Sequence, residues 1–122
     1  MDFTQCYNSS ASILMEGALG ERLKREYGLK TDGITAMAGL VYLPEGRRAL
    51  KEIWEGYIYI SKKYGLPFMA TTPTRRANRE RVFKDGYGES IIADNVRFLK
   101  NVRIETCAEN MYVGGLMGCK GD

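Results

Sequence analysis

Histidine is absent from the 122 residues, and that omission removes both the commonest general base near neutral pH and the commonest metal ligand. A self-contained Ser-His or zinc-His mechanism is excluded. Cysteine is scarce: Cys6, Cys107 and Cys119 are odd in number and far apart, matching neither a CxxC zinc or redox motif nor a secreted disulfide framework. Reduced thiols in a reducing compartment fit this usage. No apolar run approaches the roughly 20 residues of a membrane span, and the opening MDFTQCYNSS has neither a basic n-region nor an apolar h-region. A soluble, cytoplasmic protein with no membrane partner is the expectation. Charge of one sign is also missing. Eighteen basic side chains against fifteen acidic ones leave +3, too small and too mixed a balance to indicate nucleic acid as a partner. Internal repeats and low-complexity tracts are lacking as well.

What is present describes a chain that folds. Hydrophobic residues make up 44% and charged residues 27%, close to the averages of globular proteins, and the length suits a single domain, residues 1–122. After a polar lead-in, Ile13, Leu14 and Met15 predict a short strand that stops at Glu16-Gly17. Leu19 and Leu23 then share a helix face through Tyr27, with Gly28 placed to end the helix in a left-handed conformation. The segment LKTDGITAMAG reads as a loop.

From Pro44, suited to a first helical turn, Leu50, Ile53, Trp54, Tyr57, Ile58 and Ser61 recur at the i, i+3, i+4, i+7 spacing of one face. That helix closes at Lys62-Lys63-Tyr64-Gly65, cations near the negative end of the dipole and glycine at C′. Pro67 to Ala70 predicts a second strand. TTPTRRANRERVFKDGYGE reads as a long connection with one helical turn. Ile92, Val96, Leu99 and Val102 predict the core stripe of a second long helix, and Met111-Tyr112-Val113 a third strand running into GGLMGCKGD. Strand-length apolar runs alternating with amphipathic helices indicate an α/β fold of parallel βαβ units with right-handed crossovers. Functional residues of such sheets collect at the carboxyl ends of the strands.

Those three strand ends resemble, in order, motifs of the homocysteine S-methyltransferase family. ILMEGALGERL is similar to the family's first strand and turn, an acidic residue followed by Gly, a small residue, an apolar one and Gly. Thr72-Pro73-Thr74 lies where the family has a Thr-x-Thr closing strand two. GLMGCKGD is similar to its Gly-Ser-apolar-Gly-Pro-x-Gly loop after strand three. The resemblance runs from about Ile13 to Asp122, and the three motifs in register carry it. Departures mark a divergent branch: Glu16 replaces the usual Asp, Leu116 and Cys119 replace Ser and Pro, and Arg75 replaces an aromatic residue.

The resemblance implies the N-terminal part of a (β/α)₈ TIM barrel, incomplete in this chain, because closure takes eight strands and about 250 residues. It also implies transfer of a methyl group to a small-molecule thiol such as homocysteine from a methyl donor. Family members hold a zinc ion through Gly-Cys motifs on later strands, and the metal lowers the thiol's pKa. Zinc is therefore expected in an intact family enzyme, while its ligands are absent from this chain, which alone is expected to be inactive. The open sheet edge invites self-association.

On that reading Glu16 receives the ammonium group of the substrate and the N–H groups of Gly17 and Ala18 its carboxylate; the plain alternatives are a helix cap and packing. Thr72 and Thr74 contact the substrate or cap the segment that follows. Cys119, without a second thiol or histidine beside it, is expected to be inert, and no catalytic residue is assigned. Arg75, Arg76, Arg79 and Arg81 grip a phosphate-bearing or folate-like donor or form a solvated face. Trp54 and Tyr57 belong to packing. A different class of function, a small non-enzymatic α/β module binding a ligand or partner, competes with the methyltransferase. The glycine spacing of GLMGCKG is not the G-x-G-x-x-G of dinucleotide sites.

Overall fold

The computed structural model describes residues 1–120. In chain order the elements are α1 (Phe3–Ser9), β1 (Leu14–Met15), α2 (Leu19–Tyr27), a 3-10 turn (Ala38–Tyr42), α3 (Pro44–Tyr64), β2 (Phe68–Thr71), α4 (Arg79–Lys84), α5 (Ser90–Glu105) and β3 (Met111–Gly114). The three strands form one parallel sheet in the order β1-β2-β3. Leu14 pairs with Phe68 and Phe68 with Met111, so the strand starts are aligned and their carboxyl ends share one edge of the sheet.

Helix α3 follows from its residues. Pro44 at its start has no N–H to leave unsatisfied, and Gly65 ends it at φ +64. There Leu66 N–H donates to Ser61 O at 3.1 Å. Leu50, Ile53, Trp54, Ile58 and Ser61 are buried along the expected face, and Tyr57 stacks on Phe68 with ring centroids 5.7 Å apart. Each fully buried large apolar side chain contributes on the order of 1.5–3 kcal/mol of transfer free energy, an upper figure because denatured chains are already partly collapsed. With Leu23 of α2, Leu99 and Val102 of α5, and Phe68, Ala70 and Met111 of the sheet, this face makes one core. Helices α2, α3 and α5 therefore cover one face of the sheet. Strand alternation puts Met15, Met69 and Tyr112 on the other.

Three elements differ from the sequence reading. The lead-in is a helix, α1: Gln5 N–H donates to Asp2 Oδ1 at 2.8 Å and Asp2 N–H to Gln5 Oε1 at 3.0 Å, a reciprocal capping box. Its Phe3 meets the ring of Tyr112 edge-on at 5.6 Å. In α5 the buried stripe is Ile91, Asn95, Leu99 and Val102, while Ile92 is 44% exposed. The stripe is shifted because Asn95 belongs to it: its Nδ2 donates to Ala38 O at 3.0 Å and Ile91 O at 2.8 Å, fastening the 3-10 turn to the helix. The turn also packs against α3 so closely that a Cβ on Gly46 would lie 2.3 Å from Leu40 O. The loop expected between residues 29 and 39 thus ends in ordered structure. Among the described residues no helix is long and apolar enough to cross a membrane.

Candidate functional site

Glu16 follows β1 directly, and Thr71 is the last residue of β2. Because the two strands are parallel and in register, the carboxylate reaches the neighbouring strand end. Its Oε1 accepts from Thr71 N–H at 2.8 Å and from Thr71 Oγ1 at 2.5 Å. Its Oε2 is shut off from water and has no hydrogen-bond partner among the described residues. One oxygen is anchored and the other is an acceptor without a donor.

Beyond Glu16 the chain turns sharply into α2. Ala18 takes a left-handed conformation, φ +53, and caps the helix without a side-chain hydrogen bond. The Tyr57 hydroxyl clamps this turn, donating to Gly17 O at 3.0 Å and accepting from Gly17 N–H at 3.3 Å. Arg22 lies over the Tyr57 ring, 5.6 Å from its centroid. Hydrogen bonds to Glu26 and then to Tyr57 hold the Arg22 guanidinium above its ordinary pKa. The partner carboxyl of Glu26 is held below its own, first by that bond.

Thr72 and Thr74 occupy a different environment. Each is 2% exposed, their hydroxyls lie 2.8 Å apart, Thr74 Oγ1 donates to Leu116 O at 2.5 Å, and Leu116 N–H donates to Thr72 Oγ1 at 3.2 Å. The pair pins the loop after β3 to the loop after β2. Asn78 adds a bond from Nδ2 to Cys119 O at 2.9 Å, and Gly118 runs so near that a Cβ there would sit 2.7 Å from Arg75 O. Gly121 and Asp122 of the third motif lie outside the described residues.

An open cleft of about 560 Å³ lies over these strand ends. Glu16, Gly17 and Ala18 line it from β1, Thr71, Thr72 and Arg76 from β2, and Leu116 from β3. All three motifs converge on one cavity. No family model, curated protein or solved structure matches the chain.

Of the residues singled out in the sequence, Glu16, Gly17, Ala18, Thr72, Arg75 and Arg76 line the cleft, and Thr74, Arg79 and Arg81 do not. The Gly17 N–H is engaged by Tyr57, which leaves the turn's anion-binding capacity to the uncapped first turn of α2. The hydroxyls of Thr72 and Thr74 are engaged by each other and by the Leu116 backbone. Thr71 is the residue that sequence reasoning missed. Strand alternation carries the signal: Phe68 and Ala70 face the core, so Thr72 continues that face and Thr71 takes the other.

The donor set does not suit zinc. Among the described residues no group of three or more His, Cys, Asp or Glu side chains is placed to hold a metal ion. Cys6 is buried, whereas Cys107 and Cys119 are exposed at the end of α5 and in the loop after β3.

Proposed function

We propose that the chain is the opening arc of a (β/α)₈ barrel akin to the homocysteine S-methyltransferases, and that its cleft holds the amino-acid portion of a thiol methyl acceptor such as homocysteine. A parallel sheet in consecutive order with its crossover helices α3 and α5 on one face supports the barrel, since doubly wound sheets reverse their strand order at a switch point. The observation that carries the acceptor is Glu16. A carboxylate fixed through one oxygen to the adjacent strand and unpartnered at the other lacks the donor that an ammonium group, which has only donors to offer, would supply once a ligand opens the way to Oε2.

In the reaction proposed, the acceptor thiol gives its proton to solvent and the thiolate sulfur attacks the methyl carbon of the donor, the new C–S bond forming as the donor's bond to that carbon breaks and the donor leaves with its electron pair. The part of this chain is to orient the acceptor. Holding one reactant in place converts translational freedom into rate. Glu16 fixes the amino end, Thr71 fixes Glu16, and Tyr57 fixes the turn that follows it. Calorimetric titration with L-homocysteine should give saturable binding, with 4-mercaptobutyrate, which differs only in lacking the amine, binding at least about tenfold more weakly. Equal affinity for the two thiols, or no heat of binding from L-homocysteine, would remove the proposal.

A further inference from the structure

The segment from Thr71 to Lys84 carries five basic side chains and one acidic one, a local excess larger than the net charge of the whole chain. Arg75, Arg76, Arg79 and Arg81 form no ion pair among the described residues, whose four salt bridges all lie elsewhere. Arg76 Nε and Arg81 Nη1 are also shielded from water without any acceptor. Arg75 is exposed and Arg76 half-buried, and leaving the shielded Arg76 Nε without an acceptor carries a cost that a bound acceptor would relieve. Arg75 and Arg76 stand in the wall of the cleft.

The first turn of α2 opens on the same cavity. This nine-residue helix has no side-chain cap, and Leu19 and Gly20 line the cleft, so free N–H groups and the positive end of the helix dipole face it. The acidic groups there are Glu16, Glu21 and Asp32. Glu21 is paired with Arg25 at 3.1 Å, and Glu16 is tied to Thr71. Homocysteine has about eight heavy atoms, each taking no more than the ~30 Å³ of a water molecule in the liquid, and so fills less than half of the 560 Å³. Room remains on the arginine side.

We propose that the Arg75–Arg76 wall, with the first turn of α2, is an oxyanion subsite that takes a carboxylate or a phosphate group of a cleft ligand. Guanidinium suits this task because its planar fork matches both groups. The subsite stands on the unpaired arginines and does not depend on Glu16 or on the identity of the acceptor.

The test is ¹⁵N nuclear magnetic resonance of the arginine Nε–H groups during separate titrations of the full chain with sodium phosphate and sodium propionate. Neither probe carries an amine, so the result is independent of whether L-homocysteine binds. A saturable shift confined to Arg75 and Arg76 is expected, weakened about tenfold or more in Arg76→Lys, which keeps the charge and loses the fork. Tighter phosphate binding assigns a phosphoryl ligand, and tighter propionate binding a carboxylate. Linear, unsaturated shifts spread over all arginines, or an unchanged affinity in Arg76→Lys, would overturn the subsite.

Discussion

Replacing Glu16 separates two roles that the structure combines in one side chain. Glu16→Ala removes both bonds from Thr71, and hydrogen bonds to a charged acceptor contribute about 1.5–3 kcal/mol each. Deleting the unpartnered Oε2 offsets about 1–3 kcal/mol of that loss. The net cost is about 2 kcal/mol, which for a chain of this size lowers the melting temperature by roughly 5–10 °C. Glu16→Gln keeps a carbonyl oxygen for Thr71 while removing the charge; neutral bonds hold about 0.5–1.5 kcal/mol each in place of about 1.5–3, so its stability should fall by less than that of the alanine variant. Its affinity for an ammonium-bearing ligand should still fall about tenfold or more. Thermal unfolding followed by circular dichroism measures the first effect and calorimetry the second. An alanine variant that melts within a degree of the parent would show that the Glu16–Thr71 bridge holds nothing. A glutamine variant as unstable as the alanine one would assign the bridge to charge rather than to geometry.

Asn95→Ala should cost about 1–3 kcal/mol, because Ala38 O loses its buried donor; a lower urea midpoint with an unchanged slope checks it. The Tyr42 hydroxyl donates to Asp94 Oδ2 at 2.6 Å, and burial, followed by that bond, pushes its pKa up to about 12. A folded value above the unfolded value of about 10 means that its contribution is complete below pH ~10 and fades as pH rises towards 12. The near-ultraviolet absorbance difference between the parent and Tyr42→Phe should therefore show a tyrosinate step near the upper value. A step at the ordinary value would contradict the hold of Asp94 on the hydroxyl.

The strands and α3 were legible because their signals are local: apolar runs, a first-turn proline, a closing glycine and a single helical stripe all agree over Pro44–Gly65. The core stripe of α5 was displaced because its second member is Asn95, whose burial depends on Ala38 O, 57 residues away; periodicity counts apolar residues and passes over a polar one whose partner is distant. Helix α1 carried its capping box in Asp2 and Gln5 but had no apolar stripe to accompany it. At the site, Glu16 was legible as a carboxylate at a strand end. Thr71 was not, because neighbouring threonines look alike until the pleat sorts Thr71 to one face and Thr72 to the other. The clamp from Tyr57 spans 40 residues, and in the sequence that tyrosine reads only as packing.

The central claim, that the cleft at the strand ends receives a thiol amino acid, is tested most directly by mapping L-homocysteine onto the labelled chain by amide chemical shifts. Saturating perturbations centred on Glu16, Gly17, Thr71 and Arg76 are predicted, with the Phe3–Tyr112 contact between α1 and β3 unmoved. Perturbations centred on that contact instead, or none at all at millimolar ligand, would contradict it.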